Sequence, residues 1–154
     1  MRPARAEEKE VILQLDRMAG FQPRKIEEFS YSLDPVNQEE QFIFLAEQEE
    51  GIIGKIEVIT GLREDTGLMG YVRRLVVHPD YRRQGIATKL FDFLQKWGRE
   101  NELQCLDLHV GEENHSAITL YEKYGFDLRH KEHHYRLPLK EEKQGPQQTS
   151  LFDL

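Results

Sequence analysis

Apolar positions spaced three and four apart open the chain. Val11, Ile12, Leu15 and Met18 predict a helix over residues 7–19, with Gly20 as its stop. Pro23 is placed to open a second short helix with Ile26 and Phe29 on its apolar side. Asp34-Pro35-Val36-Asn37 is loop chemistry. Residues 42–46 then read as a strand, Glu49-Glu50-Gly51 as a turn and residues 52–59 as a returning strand, which makes a hairpin. Residues 61–67 read as a loop and residues 69–77 as a third strand. There the period changes: Ile86, Leu90, Phe91, Leu94 and Trp97 fit one face of a helix. A strand over residues 105–110 and a helix over residues 114–124 follow, the helix capped by Asn114 and stopped by Gly125. Residues 126–139 alternate, predicting one or two closing strands. This order predicts a mixed α/β (α+β) fold, a twisted sheet with helices on its faces and no internal repeat.

Length bounds that picture. The 154 residues make one domain, assigned to residues 1–139, because two cores would each bury too little surface. From Lys140 the composition turns to that of a linker, so residues 140–154 read as a flexible tail. Twenty-one basic against 28 acidic residues give a net charge of −7, which argues against a nucleic-acid-binding face. The one cysteine, Cys105, excludes a disulfide framework and a cysteine zinc cluster within the chain, and points to a reducing, cytoplasmic setting. The first residues lack the apolar core of a secretory signal, and no apolar run approaches the roughly 20 residues of a membrane span.

The chemistry concentrates in one segment, Leu75-Val76-Val77-His78-Pro79-Asp80-Tyr81-Arg82-Arg83-Gln84-Gly85-Ile86-Ala87-Thr88. A strand runs into a short loop that opens a helix. Gly85 and Ala87 are small where a backbone must come close to something. Arg82, Arg83 and Lys89 make the loop basic in an acidic protein. With the free N–H groups and partial positive charge of a helix N-terminus, these residues suit a phosphate or pyrophosphate. The Walker and Gly-x-Gly-x-x-Gly patterns are both absent. A plain basic turn at a helix start is the bland alternative.

The segment resembles the signature of the GNAT superfamily of acyl-CoA N-acyltransferases. Arg82-x-x-Gly85-x-Ala87 fits that family's Arg/Gln-x-x-Gly-x-Gly/Ala motif, preceded by Leu75, Val77 and Pro79 in a Leu-x-Val-x-Pro pattern. Asn114, Ala117, Leu120-Tyr121 and Gly125-Phe126 resemble its second signature, in the right order and spacing. The resemblance implies a GNAT fold of six to seven strands with about four helices, and N-acetyl transfer from acetyl-CoA to an amine by direct attack, without a metal. It implies that the backbone from Arg83 through Gln84, Gly85, Ile86 and Ala87 to Thr88 holds the pyrophosphate, with Arg82 in the motif. Leu75, Val76 and Val77 would pair with the pantetheine arm and offer an N–H to the thioester carbonyl. Asn114 would contact the pantetheine, a role compatible with capping the helix.

Acetyl transfer needs a neutral amine, so a base helps, and the departing thiolate is helped by an acid. Tyr121 stands where the family places that acid, and a phenol can donate to a thiolate. Alternatively it is core, alongside Ile118 and Tyr124. Two candidates remain for the base. His109 falls with Cys105 and Asp107 on the face of its strand opposite Leu106, Leu108 and Val110, and its reference pKa suits the task. Members resembling peptide N-terminal acetyltransferases carry a Glu there. Glu57, in the hairpin, is the second candidate, acting through water.

The remaining features read blandly. His133 and His134 point to opposite faces of a strand and cannot chelate together, so His130, His133 and His134 read as solvated. Cys105 reads as a small half-buried residue, and Arg73 and Arg74 as steering or surface charges. The tail stretch Gln148-Thr149-Ser150-Leu151-Phe152 resembles the short peptide that binds the bacterial DNA sliding clamp, through Gln148, Ser150, Leu151 and Phe152. Packing of the tail on its own chain or on a second subunit is the alternative. Proteins of this kind are commonly dimers, so a homodimer stays open. The acceptor stays open too: a small amine, a peptide amino terminus or a lysine. The competing class is a non-catalytic acyl-CoA-binding module that docks a partner through the tail.

Overall fold

A computed structural model describes residues 1–21, 32–34 and 39–141. Among them the elements run β1 (Arg2–Pro3), α1 (Lys9–Met18), β2 (Ser32–Asp34), β3 (Glu39–Gln48), β4 (Gly51–Arg63), β5 (Gly67–Val77), α2 (Ile86–Glu100), β6 (Cys105–Asp107) and α3 (His115–Tyr124). The sheet is mixed, with hydrogen-bonded order β1-β3-β4-β5-β6, and β2 pairs with β3 off that path. The pairings are antiparallel except β5 with β6.

Local chemistry sets the helix ends. Gly20 (φ +74°) and Gly125 (φ +119°) take the left-handed turn that stops α1 and α3. The Asn114 side chain accepts from the Ala117 N–H at 3.3 Å and caps α3. The two faces of the sheet are covered differently. Phe44, Ile56, Val58 and Val72 meet Leu90, Phe91 and Leu94 of α2 and Ala117 and Tyr121 of α3. On the other face Ile12 packs with Ile43 and Leu45, and Leu15 and Ala19 pack with Val76.

Several sequence expectations change. The expected loop over residues 61–67 shrinks, because β4 runs to Arg63 and β5 starts at Gly67. The expected strand over residues 105–110 pairs only through Asp107, although Leu106, Leu108 and Val110 still pack on the core. The closing strands are not formed. All residues from 127 to 141 are exposed and none lies in a strand, because nothing among the described residues pairs with them. So the sheet has six described strands with two unforeseen short ones, β1 and β2, and three described α-helices flank it against about four expected. The helix expected after Pro23 and the tail stretch 148–152 lie outside the described residues. No described helix is long and apolar enough to cross a membrane.

Candidate functional site

The loop after β5 is built for close approach. The His78 N–H donates to the Ile53 carbonyl at 2.7 Å, clamping the end of β5 to β4. A single 3-10 turn follows at Pro79–Tyr81, with His78 Nδ1 accepting from the Asp80 N–H at 3.1 Å. Arg82 folds back and donates Nε to the Val77 carbonyl at 3.2 Å. Arg83 (φ +61°) and Gly85 (φ +78°) are both left-handed, a geometry that turns neighbouring N–H groups into a concave anion nest. Helix α2 starts at once, and its first turn holds no acidic residue. The Lys89 N–H returns to the Gly85 carbonyl at 3.0 Å, so the N–H groups just before it have no helical carbonyl to meet. A Cβ at Gly85 would meet nothing within 4 Å, so the space beside this backbone is open. Ile86 and Ala87 bury their side chains in the core and offer only backbone, while Arg83, Gln84 and Thr88 are exposed.

Next to that nest, strand β5 presents an edge that has no strand partner among the described residues. Its parallel ladder with β6 runs from Met69↔Cys105 to Tyr71↔Asp107 and stops. Beyond Tyr71, toward Leu75, Val76 and Val77, β6 gives β5 no partner. Those three side chains are buried, so the backbone is what this edge offers. On its other side the β4–β5 register slips between Lys55↔Val76 and Glu57↔Arg73. Arg74 and Leu75 therefore stand against Ile56 alone, and Arg74 is left-handed at φ +48°, which marks a β-bulge.

A buried ionic set lies under the bulge. Arg74 Nη1 reaches Asp16 Oδ2 at 2.9 Å, and Lys55 Nζ reaches Asp16 Oδ1 at 2.7 Å. Lys55 also pairs with Glu57, whose other oxygen accepts from the Gln41 amide at 3.1 Å. Burial pulls the Lys55 ammonium below its ordinary range, against the opposing pull of Glu57 and Asp16. Glu57 is wholly inaccessible and bound as a counter-ion. A carboxylate so held reaches an incoming amine only through an intervening water, the role the sequence reading gives it. Arg74 is likewise engaged with Asp16 and is not a free surface charge.

The other candidates flank the edge. Tyr121 is 6% exposed and packs edge-on against Phe91 at 5.9 Å and Phe126 at 6.0 Å. Burial pushes its hydroxyl up to about 12, so it stays a neutral donor through the physiological range. Asn114 caps the same helix. His109 is exposed, and its Nδ1 lies 3.0 Å from the hydroxyl of Tyr71, with ring centroids 5.2 Å apart. Burial raises the Tyr71 hydroxyl, offset in part by Arg73. Tyr71 was missed in the sequence. Its only signal was a polar aromatic in an apolar strand, two positions from Arg73. The pair sits where the β5–β6 ladder ends.

Cys105 is half-buried, and burial raises its thiol. His130 contacts Glu132 at 2.8 Å and the His133 ring lies 6.3 Å from that of Tyr135. Among the described residues no group of three His, Cys, Asp or Glu side chains could hold a metal ion.

A family model described as the acetyltransferase (GNAT) family matches residues 9–126. The chain is 27% identical over 122 residues to the N-acetyltransferase YobR of Bacillus subtilis, covering 79% of this chain and 46% of that protein. It is 32% identical over 91 residues to N-alpha-acetyltransferase 30 of Schizosaccharomyces pombe, covering 59% and 61%. The chain thus spans about half the length of the curated relatives it matches. An aminoglycoside antibiotic 6'-N-acetyltransferase from Acinetobacter haemolyticus has the same fold, with TM-score 0.71, 17% identity and coverage of 90% of this chain and 98% of that one. Glucosamine-6-phosphate N-acetyltransferase from Arabidopsis thaliana aligns with TM-score 0.67 and 16% identity over 89% and 97% of the chains.

Proposed function

The chain belongs to the acetyltransferase (GNAT) family, and from that premise we propose that it is an N-acetyltransferase using acetyl-CoA as donor and a primary amine as acceptor. The observation that carries this reading is the adjacency of the nest at Arg83–Gly85 to the bulged edge of β5. A pyrophosphate fits the first, through backbone N–H groups from Arg83 to Thr88 with Arg82 bracing the turn. An extended amide-bearing arm fits the second, because a free strand edge pairs with any chain that presents matching donors and acceptors. The donor supplies an activated acetyl group as a thioester.

The chain's own residues handle protons. His109 takes the proton of the attacking amine, and the Tyr71 hydroxyl fixes the imidazole's orientation and tautomer through Nδ1. Tyr121 gives its proton to the departing thiolate and recovers one from solvent. A backbone N–H at the bulge, fixed by Arg74 and Asp16, polarises the carbonyl under attack. Asn114 caps α3 and borders the arm. One similar protein is named an N-alpha-acetyltransferase and one fold neighbour an aminoglycoside antibiotic N-acetyltransferase, so the acceptor screen spans peptides and small polyamines.

The test is calorimetric titration with acetyl-CoA and desulfo-CoA beside the Gly85→Glu variant. Both ligands are expected to bind the wild type. The variant is expected to keep its fold but lose binding at least about 100-fold, because a carboxylate then stands at the nest. Absence of binding to the wild type overturns the reading. If binding holds, free-thiol release is followed across the acceptor screen with His109→Ala, Tyr71→Phe and Tyr121→Phe.

A further inference from the structure

We propose that His78 is a positioning residue for the donor: its neutral imidazole holds the turn that shapes the anion nest, given the reading of that nest as the donor's pyrophosphate site. Two hydrogen bonds connect the ring to the nest, and Asp80 is their pivot. The Asp80 N–H donates to His78 Nδ1 at 3.1 Å, so that nitrogen carries a lone pair and no proton. The Asp80 carbonyl accepts from the Gln84 side-chain amide at 3.4 Å. Gln84 stands between the two left-handed residues of the nest, Arg83 and Gly85. The same turn leans on His78 twice more. The His78 carbonyl accepts from the Tyr81 N–H at 2.9 Å, and the Tyr81 ring stands edge-on to the imidazole, with centroids 5.7 Å apart. Pro79 fills the first position of the turn and has no N–H, so the cap falls to Asp80 at the second.

Protonation makes this cap conditional. Imidazole gains its second proton just below neutrality, and a protonated Nδ1 cannot accept from an N–H. The same Nδ1 lies 3.9 Å from the Asp80 carboxylate, which attracts the charged ring. One atom thus has two alternative partners on one residue, the N–H when neutral and the carboxylate when charged. The charged and titratable groups facing the ring are that carboxylate and the Tyr81 phenol. From β4, the Ile53 carbonyl accepts from the His78 N–H at 2.7 Å and fixes the backbone while the ring changes partner. The side chain is 29% exposed, so solvent can deliver the proton. Turning to the carboxylate releases the Asp80 N–H and loosens the residue whose carbonyl holds Gln84. Donor binding therefore favours the neutral ring, and by linkage the donor is held less tightly as pH falls through the imidazole range.

Calorimetric titration of the full chain with desulfo-CoA at pH 7.5 and pH 5.5 tests this without acceptor or turnover. Wild type, His78→Ala and His78→Asn are compared. Asparagine keeps a capping acceptor that does not titrate. At pH 7.5 His78→Ala is expected to weaken binding about 3- to 10-fold, the share of one hydrogen bond, and His78→Asn to stay within about twofold of the wild type. Between the two pH values the wild type is expected to lose about 3- to 10-fold more affinity than His78→Asn. Protonation of the donor's own phosphates is common to both proteins and cancels from that difference. Circular dichroism checks that the variants fold, and should His78→Ala unfold, the pH comparison with His78→Asn decides alone. Three results overturn the proposal while leaving the donor site standing: one shared pH profile for wild type and His78→Asn, wild-type affinity in a folded His78→Ala, or His78→Asn as weak as His78→Ala. A wild type that binds no donor overturns the donor site and this proposal together.

Discussion

Tyr121 has two consequences that one substitution separates. Its hydroxyl sits near 12 in the folded chain against an ordinary 10. The unfolded chain therefore loses that proton first as pH rises. The stabilising contribution is whole below pH 10 and is lost as pH climbs through about 12. Between pH 8 and 11 the wild type is expected to lose about 1 kcal/mol through this group. Tyr121→Phe keeps the ring contacts with Phe91 and Phe126 and is expected to lack that loss. Urea unfolding at the two pH values measures it. Tyr124, also raised to about 12, titrates alike in both proteins and cancels from the difference. In turnover the same change is expected to lower kcat about 10- to 100-fold with little change in the donor's KM. Residue identity alone shows why Tyr121 was legible in the sequence and Tyr71 was not. Tyr121 lies inside a contiguous signature, whereas Tyr71 meets His109 across 38 positions. The partners of Glu57 were hidden for a related reason: Gln41, Lys55 and their neighbour Asp16 lie on three elements.

At the scale of elements, spacing between backbones decides. Gly54 lets β4 and β5 approach, and a Cβ there would lie 2.8 Å from the Val76 backbone oxygen. Gly54→Ala is expected to cost about 1–3 kcal/mol, read as a lower urea midpoint with unchanged slope. β1 is only two residues long and is held by a side chain. The Arg2 guanidinium bonds Glu8 and also Glu47 Oε2 at 2.7 Å, and holds the Glu8 carboxyl down at about 2. That contribution is present above the ordinary carboxylate value and is lost as pH falls through about 2. Arg2→Ala is expected to flatten the acid side of the stability profile, seen in thermal melts from pH 5 to pH 2. The sequence showed the helices because their caps, Asn114, Gly20 and Gly125, are local. It hid β1, whose anchor lies 45 residues away, and the bulge, since nothing about Arg74 calls for a left-handed backbone. The alternation over residues 126–139 was legible, but alternation does not supply a pairing partner.

At the scale of the molecule, the buried ionic set ties together parts of the chain far apart in sequence. Asp16 and Arg74 are 58 residues apart, and α1, β4 and β5 all contribute. Lys55→Met removes a cation and leaves Asp16 and Glu57 close together in an apolar surrounding. The expected cost is about 3–5 kcal/mol of global stability, a large share of a small domain's total. Circular dichroism and tryptophan fluorescence should report one coincident transition at a lower midpoint. Two separate transitions would mean the set is not part of a single cooperative unit.

That anchoring of α1 also says what it does not do. If α1 swung outward, Asp16 would leave with it. Lys55 and Arg74 would remain as cations on a sheet face stripped of Ile12, Leu15 and Ala19. Such an excursion costs nearly as much as unfolding the chain, so α1 is no gate on the time scale of turnover.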